Sequence, residues 1–203
     1  MSTVIRFAAE SDAAALAEIY APAVTERTTS FELVAPTAAD MARRMSALRE
    51  RYPWLVCESD GRVIGYAYAS PHRERLAYQW SVDVSAYVRD DAQRRGVGRA
   101  LYTALFAILA MQGYRTAYAG ITLPNAASEG MHRALGFEPV GIYRGVGYKM
   151  GAWRDVVWLA RSLAPRVDDP PAPLPIEAVA GDDAIARAIA ECETLLRRAA
   201  AQS

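Results

Sequence analysis

Runs of apolar residues at period two alternate along the chain with runs at period 3.6, and their order predicts the fold. Val4 to Ala8 predicts a first strand. Ser11 stands where a helix cap belongs, and a helix from Asp12 to about Tyr20 or beyond would bury Ala14, Leu16, Ile19 and Tyr20. Thr28 to Pro36 is irregular, with Phe31 at its centre. Thr37 and Asp40 mark the capped start of a second helix, which carries Met41, Met45 and Leu48 and ends before Pro53. Trp54–Glu58 and Val63–Tyr68 predict a hairpin around Asp60-Gly61. A polar, arginine-rich loop over Pro71 to Leu76 leads to a strand over Ser81–Val88. Trp54 and Trp80 read as core. The helical run from Arg99 to Gln112 buries Leu101, Leu105, Ile108 and Leu109, and Gly113 closes it. Tyr114 to Ile121 predicts a strand, Asn125 to Leu135 a short helix ended by Gly136, and Phe137–Ile142 and Val146–Leu163 the last strands. A hairpin first and strand–helix alternation later predict a mixed α/β sheet.

The pattern changes after Leu163. Asp168 to Pro175 is proline-rich and reads as an extended linker. Gly181 to Ala200 is helical in pattern, with Ile185, Ile189, Cys192 and Leu196 on one stripe. A lone helix of this kind must dock on the domain or on a partner subunit. The expected division is one domain over residues 1–165 and a linker with a C-terminal helix over 166–203.

Composition narrows the classes. At 52% hydrophobic and 203 residues, the chain can build one well-cored domain. Acidic and basic residues balance at 23 each, so no broadly basic face for nucleic acid is expected. No apolar run is long enough to span a bilayer, and the N-terminus has no signal-peptide core, so a cytoplasmic location is expected. Two cysteines and two histidines, far apart, allow no disulfide framework and make a metal site unexpected.

The chemistry centres on Gln93-Arg94-Arg95-Gly96-Val97-Gly98, which follows a strand and opens a helix. Two glycines two apart let the backbone turn with its N–H groups outward, and the helix adds free donors and the positive end of its dipole. Together they make an anion site suited to a phosphate or pyrophosphate, with Arg94, Arg95 and Arg99 around it. No Gly-Lys-Ser/Thr follows, so it is not a Walker loop, and the third glycine of a dinucleotide fingerprint is missing. The bland alternative is a glycine-containing helix start.

The spacing Gln-x-x-Gly-x-Gly resembles the acetyl-CoA pyrophosphate loop of the GNAT N-acetyltransferases. Arg51 to Val56, Ala77-Tyr78-Gln79-Trp80, Tyr87-Val88, Leu123-Pro124-Asn125 and Met131 to Phe137 extend the likeness to the phosphinothricin N-acetyltransferase branch, over roughly Val4 to Leu163. This resemblance implies a splayed mixed sheet of about six to seven strands with helices on both faces. It implies acetyl-CoA held in the split between the central strands, with no metal. The backbone of Ala86, Tyr87 and Val88 would bind the pantetheine arm. Gln93 to Arg99, Val97 and Gly98 included, would hold the pyrophosphate, and Asn125 would touch the cofactor. Direct acetyl transfer would go to the primary amine of a small amino acid of the phosphinothricin or methionine sulfoximine type. A homodimer and a role in antibiotic or herbicide resistance go with that branch.

An ammonium has no free lone pair, so the site must take a proton from it. Asp83 lies mid-strand, where propensity disfavours aspartate. The branch carries a glutamate there as proposed base; the shorter Asp83 favours relay through a water. The alternative is a structural aspartate at a strand bulge. His132 falls where many relatives place a tyrosine acid, and can serve as acid or help deprotonate the amine; alternatively it packs on the sheet. Arg75, at the branch's substrate arginine, would clamp a carboxylate in a bidentate fork, ahead of Arg73. Phe31 and Tyr78 would wall the acceptor pocket or simply pack. Another amine acceptor, or an acetyl-CoA-binding module without turnover, are the other readings.

Overall fold

The computed structural model describes residues 3–200. One seven-stranded sheet runs in the order β1-β2-β3-β4-β5-β7-β6. Its strands are β1 (Thr3–Phe7), β2 (Trp54–Ser59), β3 (Arg62–Pro71), β4 (Ser81–Val88), β5 (Thr116–Thr122), β6 (Glu138–Lys149) and β7 (Ala152–Ser162). The helices are α1 (Ala13–Thr25), α2 (Ala38–Leu48), α3 (Val97–Gln112), α4 (Ala126–Ala134) and α5 (Asp183–Ala200).

Both faces of the sheet are covered. Alternate residues of β2 part to opposite sides: Trp54 and Val56 join α1 and α2, while Leu55 and Cys57 join α3 and α5. Leu101, Leu105, Ile108 and Leu109 of α3 lie at zero exposure. Each such side chain contributes about 1.5–3 kcal/mol on burial. This stripe fixes the helix that carries the glycine turn.

One pairing decides the function. β4 and β5 run parallel and pair only at Ser81↔Thr116, Val82↔Ala117 and Asp83↔Tyr118. Beyond that point β4 continues along β3 to Val88, and β5 continues along β7 to Thr122. The two strands therefore splay, and a V-shaped split opens in the middle of the sheet.

Several expectations are corrected. Ser11 is not the cap. Residues Glu10–Asp12 form a 3-10 turn, and Asp12 sends its carboxylate back to the Ala9 N–H and to Arg6. Ala14 faces solvent, while Ala13 and Ala17 take the buried positions, and α1 continues through Pro22 to Thr25. The last two strands turn at Met150-Gly151, both at positive φ. The glycine-rich stretch Tyr143 to Gly147 is a bulge inside β6. Trp80 is outside the core: its indole N–H donates to the carbonyl of Pro171 at 2.8 Å.

The C-terminal segment docks on its own domain. Leu174 exchanges backbone and side-chain hydrogen bonds with Gln112, and Ile176 N–H donates to Glu50. Val179, Ile185, Cys192 and Leu196 then enter the core beside α3. Glu193 accepts the Ile5 N–H at 2.8 Å, which satisfies a donor on the edge strand β1. Among the described residues no helix is long and apolar enough to cross a membrane.

Candidate active site

The split is a cavity of about 470 Å³. Val84 to Val88 form one wall, Ala119 to Thr122 the other, and the start of α3 and one side of α4 close it. Below Asp83 the strands hydrogen-bond to each other; above it the facing edges are free to pair with a ligand backbone.

The glycine turn stands at the mouth. Gly96 caps α3 at φ +80°, a left-handed conformation that a Cβ would strain, and Arg94 also has positive φ. A Cβ at Gly98 would lie 3.3 Å from Met131 Sδ, so this helix start sits close against α4. The first N–H groups of α3 have no partner within the helix. They point, with the positive dipole end, at the same mouth that Arg94 and Arg99 line. Of the sequence-predicted cofactor residues, Ala86, Tyr87, Val88, Gln93, Arg94, Gly96, Val97, Gly98, Arg99 and Asn125 all line the cleft. Arg95 is exposed and does not line it. Asn125 caps α4, its side chain accepting the Ser128 N–H at 3.1 Å. Arg27 also lines the mouth, held by Asp90 at 2.6 Å. Nothing in its local sequence marked it.

His132 lies on α4 at 4% exposure, in the cleft wall. Its ring packs edge-on against Tyr102 and Phe137. Burial pushes its pKa down, against the pull of the Ser128 carbonyl, which favours the neutral ring. Nδ1 sits 2.8 Å from that carbonyl, which can only accept. Nδ1 therefore carries the proton, and Nε2 keeps a lone pair with no partner among the described residues. This geometry suits proton acceptance at Nε2 and not donation.

Asp83 is on the other side of the sheet. Val82 and Val84 point to α3, so Asp83, Ser85 and Tyr87 point to the α1 side. Asp83 and His132 thus flank the split from opposite faces and do not touch. Burial raises the Asp83 carboxyl above its ordinary range, and a bond to His72 pulls it back. That bond, Nδ1 to Oδ1, is 2.6 Å long. His72 is a site residue the sequence reading passed over as loop; its signal was its place just before the strand bearing the odd aspartate. The ring stacks on Tyr118 at 4.1 Å, with Tyr78 and Trp158 edge-on at 6.0 Å.

The acceptor-side residues are less gathered. Tyr78 reaches the His72 ring. Phe31 lies over Gly147 of β6, whose missing side chain makes the room. Arg75 opens the 3-10 turn Leu76–Tyr78 and is exposed.

A free strand edge inside the sheet, ending at an anion-binding helix start, takes a long ligand with an acyl end and a diphosphate end. The fold and cleft thus define an acyltransferase that uses a CoA thioester. A profile described as "Acetyltransferase (GNAT) domain" matches residues 5–158. A phosphinothricin N-acetyltransferase of Streptomyces viridochromogenes is 38% identical, covering 84% of this chain and 92% of that protein. An L-methionine sulfoximine/L-methionine sulfone acetyltransferase of Pseudomonas paraeruginosa is 36% identical over 81% of this chain and 97% of its own. The crystal structure of a phosphinothricin acetyltransferase from Sinorhizobium meliloti in complex with acetyl-CoA superposes with a TM-score of 0.78. It is 34% identical and covers 84% of this chain and 96% of that one. The chain belongs to the GNAT acetyltransferase family, in its phosphinothricin N-acetyltransferase branch. The segment beyond residue 158 lies outside the family profile.

Proposed function

We propose that this chain transfers acetyl from acetyl-CoA to the primary amine of a small amino acid of the phosphinothricin or methionine sulfoximine type. The single observation carrying this reading is the split itself: a ligand-ready strand edge with a diphosphate site at its mouth and a half-buried carboxylate at its apex. Acetyl-CoA supplies the activated acyl group. The N–H and C=O groups of Ala86 to Val88 that face away from β3 bind the pantetheine arm as an added strand. Val97, Gly98 and Arg99 hold the pyrophosphate through backbone donors, with Arg94 beside them. Asp83 draws the proton from the acceptor ammonium, through a relay. His132, neutral and with Nε2 bare, takes up the second proton that the nitrogen sheds as the amide forms, on its way to the CoA thiolate.

Arg75, exposed and free of an ion pair among the described residues, clamps the acceptor carboxylate. Tyr78 and Phe31 wall the acceptor pocket. The enzyme acts without metal in the cytoplasm and detoxifies such compounds, which lose their charged amine on acetylation. It works as a homodimer through the β6–β7 hairpin, where Val140, Tyr148, Met150 and Trp153 are exposed.

Thiol release from acetyl-CoA, followed over a panel of amino acids and their decarboxylated analogues, tests the reading. Turnover with phosphinothricin or methionine sulfoximine supports it; turnover confined to amines without a carboxylate would overturn the acceptor class. Arg75→Lys should raise KM for the amino acids and leave the decarboxylated analogues unchanged.

A further inference from the structure

We propose that His72 is the general base of the reaction, with Asp83 as its positioning residue. The inference rests on the amine-acetylation reading and names the group that touches the acceptor proton. Three observations carry it.

First, the hydrogen bond sets the tautomer. An ionised Asp83 can only accept, so the 2.6 Å contact places the proton on Nδ1. Nε2 is left with its lone pair and no hydrogen-bond partner among the described residues. A base oriented by a carboxylate through its other nitrogen is the arrangement that activates nucleophiles on many folds. Second, the ring is held still. It lies flat on Tyr118, 13° from parallel, with Tyr78 and Trp158 against its edge. Arg73, over Trp158, donates to the His72 carbonyl at 2.6 Å and adds a positive charge near Asp83. Third, the dyad overlooks the split. Asp83 and Tyr118 are the last paired residues before the strands part. On the same face the next residues are Ser85 and Gly120, and both line the cleft. Gly120 has no side chain, and a Cβ there would meet the Trp158 ring at 3.4 Å. The Trp158 ring thus lies over Gly120, between His72 and the part of the cleft that Ser85 and Gly120 line, and the dyad borders the cleft at the point where the strands part.

The step balances without any further reagent. His72 Nε2 takes a proton from R–NH3+. The freed nitrogen lone pair attacks the acetyl carbonyl, a C–N bond forms, and the C–S bond breaks. The second proton, which the nitrogen sheds as the amide forms, goes to the CoA thiolate, and the proton on His72 passes to water. A side chain one methylene shorter than glutamate cannot itself reach as far; the imidazole makes up the distance.

Two measurements test this. The first needs no turnover: ¹⁵N-labelled protein is examined by long-range imidazole ¹H–¹⁵N correlation. His72 should show a protonated Nδ1 and a bare Nε2, and Asp83→Asn should abolish that state. An Nε2–H tautomer in the wild type overturns the proposal, whatever the enzyme acetylates. The second is kinetic, with the best acceptor for the wild type. His72→Phe, which keeps a flat ring on Tyr118, should lower kcat by about 100-fold or more while KM for acetyl-CoA holds. Added imidazole should restore turnover to His72→Gly but not to Asp83→Ala. A kcat for His72→Phe within about threefold of wild type overturns the base assignment, since acid–base catalysis is worth far more. A wild type that acetylates no amine overturns the reading beneath it as well.

Discussion

Gly98→Asp separates ligand binding from folding. Gly98 is the second residue of α3, in right-handed helix, so its backbone tolerates a side chain. The added Cβ meets only Met131 Sδ at 3.3 Å and Val88 Cγ2 at 3.7 Å. The thioether is a flexible end that can give by a few tenths of an ångström. In the free protein a carboxylate in the first turn of a helix stabilises it by about 0.3–1 kcal/mol. Against a pyrophosphate the sign reverses. Two unit charges at about 4 Å, in the effective dielectric of a protein surface, repel by about 4 kcal/mol. That is about a thousandfold in Kd. The expected outcome is a melting temperature equal to or above wild type, with acetyl-CoA affinity lowered by two to three orders of magnitude, on the order of the charge repulsion. Gly96→Asp would confuse the two effects. Its φ of +80° strains any side chain, by about 1–2 kcal/mol. Calorimetric titration with acetyl-CoA and a thermal melt on the same sample decide the matter. An unchanged Kd in a folded Gly98→Asp protein would remove the glycine turn from the ligand site.

The docked tail gives a stability prediction: Ile185→Ala should cost about 2–5 kcal/mol in a urea titration, and truncation after Pro165 should lower the melting temperature further. A loss under about 0.5 kcal/mol would mean that α5 is a passive appendage. The Arg6 bond lowers the Asp12 pKa below 3.8. Its stabilisation is therefore present above the unfolded carboxylate pKa and lost as pH falls through the folded value. Asp12→Asn should destabilise at pH 7, and the difference should shrink progressively as pH falls below the unfolded carboxylate pKa; a pH-independent difference would contradict this. Asp83→Asn and His132→Ala should each lower kcat by about 100-fold or more, in steady-state assays across pH. Near-wild-type turnover in both would leave proton handling to other groups.

What the sequence made legible was local. The glycine turn, the Asp60-Gly61 hairpin, α3 and its Gly113 cap, and the span of β4 each depend on a few adjacent residues, and each appears as read. The split was not readable from the residues themselves, because β5 leaves β4 for β7, a partner some forty positions further on. His72 was hidden for a related reason. It is the hairpin register, Ser70 opposite Asp83, that carries the loop's first residue back over the aspartate. Spacing alone cannot give a register across so long a loop. Trp80 read as core because it is large and next to a strand, yet a linker carbonyl ninety residues away uses its N–H. Tyr143 to Gly145 fall between two strands in the sequence pattern, yet β6 runs through them; the Asp155 carboxylate, accepting the Gly145 N–H, holds the chain there as a bulge.

The claim on which all of this turns is that the acetyl thioester lies in the split between β4 and β5, with the acceptor amine on the Asp83 side. A crystal structure with CoA and an N-acetylated amino acid bound tests it most directly. The account predicts pantetheine hydrogen-bonded to the backbone of Ala86 to Val88 and pyrophosphate on the N–H groups of Val97 to Arg99. It also predicts the product amide nitrogen facing His72 and Asp83. Pantetheine lying outside the split, or the amide nitrogen facing α4 with His72 remote from it, would contradict the account.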